Sequence, residues 1–218
     1  MKIELKKMSL RGQIKVLAIV NAVVFPLLLL PFLFEGDGLP DKHVLVDVLI
    51  KGIFMIWQSV LISSVIVDEF KTKTMMQLYT YPVKKSAIIG SKIMLIVMIM
   101  TVFSLVTQAI QHGLFSGASL VLPSLEYSLG LQDIIEVVLT TPLAVMLGMI
   151  PLTVGLWMKS TLAPVVTSFF MIAVLGGGGA ESGVQLMNNL IAMAIMSLVG
   201  LVFIVISIKD VTKKDLIV

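Results

Sequence analysis

Cysteine is absent from the 218 residues, which excludes a disulfide, a thiolate metal site and a cysteine nucleophile. Histidine is nearly absent. His43 and His112 stand far apart in sequence, neither belongs to an HExxH pattern, and a two-histidine metal site does not follow from them. The chain has no GxSxG nucleophile elbow and no GxxxxGKS/T phosphate loop, because the run Gly176–Gly179 is followed by no lysine. Neither catalysis nor nucleotide binding has a motif here. If ATP drives this protein, another chain binds it.

Charge is the next scarcity. Only 13% of residues are Asp, Glu, Lys or Arg, against about 25% in soluble domains. Hydrophobic residues make up 58% of the chain, and its mean hydropathy is +1.06. Apolar runs of about twenty residues recur, each matching a hydrocarbon core about 30 Å thick. The expectation is an all-α integral membrane protein with six spans: Ile14–Phe34, Val44–Val67, Ser86–Phe115, Ile134–Met158, Leu162–Leu175 and Leu186–Ile208. No linker or internal repeat divides it, so residues 1–218 read as a single six-span domain. A basic pI of about 9.1 does not imply nucleic acid once the charges are placed.

Of the 16 basic residues, 14 fall on one side of this arrangement, and only Lys42 and Lys51 on the other. Basic loops stay inside, so both termini and the Asp68–Lys92 connection are expected to be cytoplasmic. Eight of the 13 acids take the opposite side. The first apolar run is too long for a signal-peptide core and precedes no small-residue cleavage site, so it reads as the first span. Ile3, Leu5, Met8 and Leu10 interleave with lysines, and residues 1–13 read either as an interfacial segment or as a plain positive-inside anchor. Residues 209–218 form a cytoplasmic tail.

Several spans carry irregularities. The fifth, with 14 residues, is about 21 Å of helix, short of the bilayer. The glycine run that follows suggests a re-entrant segment before the sixth span, or else an ordinary span with a flexible outer loop. Pro142 and Pro151 interrupt the fourth span, with Thr140, Thr141 and Thr153 near enough to satisfy freed carbonyls. An interfacial helix is expected around Leu120–Tyr127. Polar residues inside spans are costly in lipid and candidate functional groups by default. Gln108, Gln111 and His112 share one helical face, and with Asn21, Gln58 and Thr107 they could line a path or bond neighbouring helices. Lys51 follows Asp47 by four residues, close enough to pair with it, or else it snorkels outward. Fifteen methionines point to adaptable packing.

The connection between spans two and three is more than a turn. Phe70, Thr74 and Leu78 stack at i, i+4 and i+8, while Glu69, Lys73 and Gln77 form a second stripe. Pro82 stops the helix and pushes Tyr81 towards an extended conformation. Lys84, Lys85 and Lys92 mark the return to the headgroups. Alone, this is either an interfacial helix or a docking helix whose apolar side fills a groove on a soluble protein.

The run Asp68-Glu69-Phe70-Lys71, then Thr74 with Met75, Met76 and Leu78, then Thr80-Tyr81-Pro82-Val83-Lys84-Lys85 and Ile88-Ile89-Gly90-Ser91-Lys92 resembles the loop between spans two and three of ABC-2 type permeases. These are membrane subunits of ATP-binding-cassette exporters. The chain departs from the pattern in having Lys73 before Thr74, where glycine is common, and lysines where arginines are frequent. The resemblance implies two six-span permeases, identical or homologous, each seated on an ATPase subunit. Residues 68–85 would be the coupling loop, with Glu69, Phe70, Lys71, Lys73, Thr74, Leu78, Pro82, Lys84 and Lys85 contacting that ATPase. ATP and Mg would sit on the partner, with no cofactor on this chain. The setting implied is a bacterial plasma membrane and the cargo an amphipathic or apolar molecule, best a cytotoxic peptide. An ATP-independent scaffold or immunity protein is the alternative.

Overall fold

The computed structural model describes residues 10–34, 41–68, 85–121, 127–176, 187 and 189–214. Those residues form helices joined by turns, with no strand among them. In order they are α1 (Leu10–Phe34), α2 (Lys42–Ile62), α3 (Lys85–Val121), α4 (Leu131–Leu147), α5 (Ile150–Met158), α6 (Ala163–Gly176) and α7 (Leu190–Lys214). A π-helical turn, Ser63–Val67, continues α2 as far as Asp68.

Among the described residues, five stretches are long and apolar enough to cross a membrane: Gly12–Leu30, Lys42–Val67, Ile88–Val121, Leu131–Met158 and Leu190–Lys209. The fifth expected span is present as a shorter apolar helix, Ala163–Leu175. Near Val121, α3 runs more than a turn beyond the expected end at Phe115 and takes in Leu120, the start of the proposed interfacial helix. The last helix starts later than expected because Asn189 caps it: Asn189 Oδ1 accepts from the Ile191 N–H at 2.9 Å and the Ala192 N–H at 3.2 Å.

At the centre, α2 packs against α3, α4 and α6. α7 lies along α4 and α5, and α1 rests on α3 with Phe25 and Phe115 rings 5.2 Å apart. Ile50, Phe54, Ile62, Ile96, Met100 and Phe115 are buried at the centre of the main apolar cluster. A smaller cluster joins Met55, Leu147, Leu175 and Met187. Met55 is near the middle of α2 and Leu147 ends α4, so the end of α6 and the approach to α7 meet at mid-depth of the bundle.

The fourth span breaks, but not at its first proline. Pro142 stays inside α4. The chain interrupts at Gly148 and Met149, ahead of Pro151, which cannot donate to the preceding turn. The threonines go elsewhere than to proline-freed carbonyls. Thr140 and Thr141 donate to Glu136 O and Val137 O, at 2.7 and 2.6 Å, and Thr153 reaches Phe203 O and Ser207 Oγ on α7. Lys159 closes α5 with left-handed backbone (φ 49°), and the tight turn 159–161 is held by Ser63 Oγ donating to Thr161 O.

Candidate functional site

The polar centre of the bundle is an ion pair between Asp47 and Lys51, one turn apart on α2 and both about 1% exposed. An ammonium has three donors, and all three are used. Lys51 Nζ donates to Asp47 Oδ2, to Thr140 Oγ1 on α4 at 2.7 Å, and to Met187 O at 3.2 Å. The other carboxylate oxygen, Asp47 Oδ1, accepts from Gln108 Nε2 on α3 at 2.6 Å. One charge pair thus joins α2, α3, α4 and the residue leading into α7. The sequence alternative of a snorkelling lysine is settled in favour of pairing. Buried charges persist only when paired and hydrogen-bonded, and this pair is both.

Three further amide sites flank it. Gln58 Nε2 donates to Val145 O at 2.8 Å, beside the break in the fourth span. A Cβ on Gly148 would lie 2.7 Å from Gln58 Oε1, so glycine there is the room the amide occupies. Asn21 Nδ2 donates to Thr107 Oγ1 at 3.1 Å and Gln111 Nε2 to Asn21 O at 3.0 Å, tying α1 to α3. His112 Nδ1 is hydrogen-bonded to the Tyr127 hydroxyl, and Tyr127 stacks on Phe115 with centroids 5.5 Å apart. Burial raises the Tyr127 pKa, so the phenol stays protonated and can donate to Nδ1.

The three residues expected on one face of α3 are all buried, but they turn to different partners: Gln108 to α2, Gln111 to α1 and His112 to Tyr127. One polar side-chain atom of each is therefore bonded to a neighbouring element. Three atoms stay without a partner: Gln108 Oε1, Gln111 Oε1 and His112 Nε2. Gln108 and His112 also line a groove of about 370 Å³ between α3 and α4, walled by Leu105, Gly113, Ile134 and Val138. Among the described residues, no group of His, Asp or Glu is arranged to hold a metal. Glu69, Phe70, Lys71, Lys73, Thr74, Leu78, Pro82 and Lys84 lie outside the described residues, and Lys85 is the first residue of α3.

Sequence reasoning missed Tyr127 and Met187 as partners. Tyr127 sits 15 residues from His112 with no periodic link to it, and Met187 contributes a backbone carbonyl, which no side-chain pattern signals. The signal for the ion pair was legible: two opposite charges four apart inside an apolar run.

Long apolar helices and a buried charge pair satisfied across three of them define a multi-pass α-helical membrane protein. The family described as ABC-2 family transporter protein matches residues 1–176, and the chain belongs to that family. Its members are membrane components of transporters rather than enzymes. The chain is also similar to YcbO of Bacillus subtilis (strain 168), an uncharacterized protein, with 24% identity over 101 residues. That match covers 43% of this chain and 44% of the relative. No solved structure matches the chain.

Proposed function

We propose that this chain is the transmembrane subunit of an ABC exporter, moving an amphipathic or hydrophobic substrate outward with ATP hydrolysed on a separate subunit. The carrying observation is family membership over residues 1–176, a range that contains the whole 68–85 loop. In this reading Glu69–Tyr79 is the coupling helix, seated in a groove of the ATPase, and both termini face the cytoplasm of a bacterial cell. Two permeases, identical or homologous, face each other to form the path.

Six spans follow if the chain between α6 and α7 is re-entrant. Supporting this, Leu175 and Met187 pack on the same mid-depth residues, and Met187 O accepts from the buried Lys51. A helix of 14 residues is about 21 Å long, short of a hydrocarbon core about 30 Å thick. The cargo in this reading is a cytotoxic or antimicrobial peptide. No charged chamber is found among the described residues, and the exposed surface of the helices is apolar.

The test is replacement of Phe70 or Leu78 by Asp. A carboxylate on the apolar side of a docking helix cannot be buried in a groove without its counter-ion. Export and co-purification with the ATPase should be lost while membrane insertion is retained. Unchanged export would remove the coupling role. Equal sensitivity of cells with and without the gene to a panel of membrane-active peptides would remove the peptide cargo.

A further inference from the structure

The inner end of α2 is not a plain α-helix. After Ile62 the chain widens into the π turn Ser63–Val67, where the Asp68 N–H donates to Ser63 O, five residues back instead of four. Such turns are rare and recur at functional sites. Two contacts hold this one. At its start, Ser63 Oγ donates to Thr161 O in the α5–α6 turn. At its end, Val67 lies against Gly155 of α5: a Cβ there would meet Val67 Cγ2 at 3.0 Å, and Pro164 Cγ, near the start of α6, at 2.5 Å. Gly155 is the seat on which the π turn and α6 both rest.

The sequence of the turn supplies a second, independent observation. It reads Ser-Ser-Val-Ile-Val, with Ile66 and Val67 fully buried and Val65 half-buried. When a π turn closes to α geometry it gives up its extra residue, so Ser63 stays and every residue beyond it advances by one position. Val65 then enters the place of Ile66, and Ile66 enters the place of Val67 on Gly155. All three are β-branched and aliphatic, and each exchange changes the side chain by one methylene. Hydrophobic exchanges of such small volume are among those a packed interior tolerates best. The run therefore fits its surroundings in two registers.

We propose that Ser63–Val67 is a two-register hinge, which opens to the π form seen here and closes to an α form, turning the chain beyond it about the axis of α2. One residue of register is about 100° of rotation and about 1.5 Å of advance. On a helix about 10–12 Å across, that swings the side chain at position 68 by about 8–9 Å. The outer half of α2 stays in place, because Asp47 and Lys51 tie it to α3, α4 and Met187. The use of the motion rests on the coupling reading above, in which the chain after Asp68 meets the ATPase. A partner selects one register only through contacts that differ between the two, and the rotated segment provides that difference.

The chain has no cysteine, so spin labels attach only where cysteines are introduced. One replaces Asp68, exposed just past the turn, and the other Leu162, 73% exposed beside the α5–α6 turn. The labelled protein, co-purified with its ATPase in lipid nanodiscs, is measured by double electron–electron resonance without nucleotide and with ATP and vanadate. The expected result is two distances, differing by up to about 8–9 Å, whose weights exchange between the two conditions. Deletion of Ser64, an exposed residue of the turn, leaves the helix α throughout with Val67 still on Gly155. One distance should then remain, unchanged by vanadate. Val65→Asn places an amide in the enclosed position of Ile66 only when the turn closes, and should move the weights towards the π form by about tenfold or more. That substitution carries the test if the deletion does not fold. One distance in the unaltered turn under both conditions, two distances in the deletion, or weights unmoved by Val65→Asn would each overturn the hinge. A protein that retains no ATPase would instead remove the coupling reading. The same labels in the permease alone then decide the hinge, two distances against one in the deletion supporting it and one in both overturning it.

Discussion

Lys51→Met is the substitution whose consequence the structure determines most directly. It keeps the length of the side chain but removes the ammonium that Asp47, Thr140 and Met187 share. Asp47 then remains 1% exposed, with Gln108 as its remaining side-chain donor. Breaking a buried pair by removing one partner costs about 3–5 kcal/mol, since the other charge stays buried and uncompensated. At about 1.4 kcal/mol per factor of ten, the folding equilibrium falls by roughly two to three and a half decades. Adding Asp47→Leu removes the stranded charge. Thr140 keeps its bond to Glu136 O, and the principal loss is then the Gln108 amide, worth about 1–3 kcal/mol when left unsatisfied. The double variant should therefore be more stable than Lys51→Met alone by about 2 kcal/mol. Equilibrium unfolding in mixed micelles, followed by Trp57 and Trp157 fluorescence, measures all three proteins. A double variant less stable than the single one, or a single substitution costing under about 1 kcal/mol, would refute the claim that the pair is buried and closed.

Other consequences follow from single contacts. Gly200→Ala drives a Cβ into the Met146 carbonyl, and Gly148→Ala into the Gln58 amide; each should cost about 1–3 kcal/mol in the same unfolding assay, with Gly148→Ala relieved in a Gln58→Ala background. Asn189→Ala removes the cap of α7 and should cost about 1 kcal/mol, while Asn189→Asp should retain most of it. Tyr127 has its pKa raised by burial, so the folded state favours the neutral phenol. Stability from this group is present below the unfolded value of about 10 and declines as pH rises above it. The alkaline decline should be shallower in Tyr127→Phe, a comparison best made by unfolding midpoints between pH 8 and 11.

A single helix joins the proposed coupling segment to the charge pair. α2 and its π-helical turn form one continuous helix from Lys42 to Asp68, and the proposed coupling segment begins at the next residue. In the coupling reading, a displacement of that segment acts on the end of a helix whose other half is pinned to α3, α4 and Met187 through Asp47 and Lys51. The π turn is where the helix is least regular, and Ser63 within it bonds to the α5–α6 turn. Movement of the loop therefore has two fixed points to act against, one at the turn and one at the ion pair.

How much of this was readable from the residues depends on the range of the interaction. Apolar runs and breaks are local properties, so five long helices, the short sixth and the irregular fourth span all follow from composition along the chain. Asp47 and Lys51 are four apart and were visible as a pair. What they bind was not visible, because Gln108, Thr140 and Met187 are 61, 89 and 136 residues distant from their partners in the pair. Lipid makes that choice for the protein: a charge that cannot reach water must take whatever polar atoms the packing brings near. The prolines teach the same lesson in reverse. Pro142 and Pro151 are equally visible, yet the helix breaks only before the second, at Gly148, where the side-chain amide of Gln58 fills the space that a Cβ would need. The break is set by a contact across helices, and a residue's own propensity locates it only to within a turn.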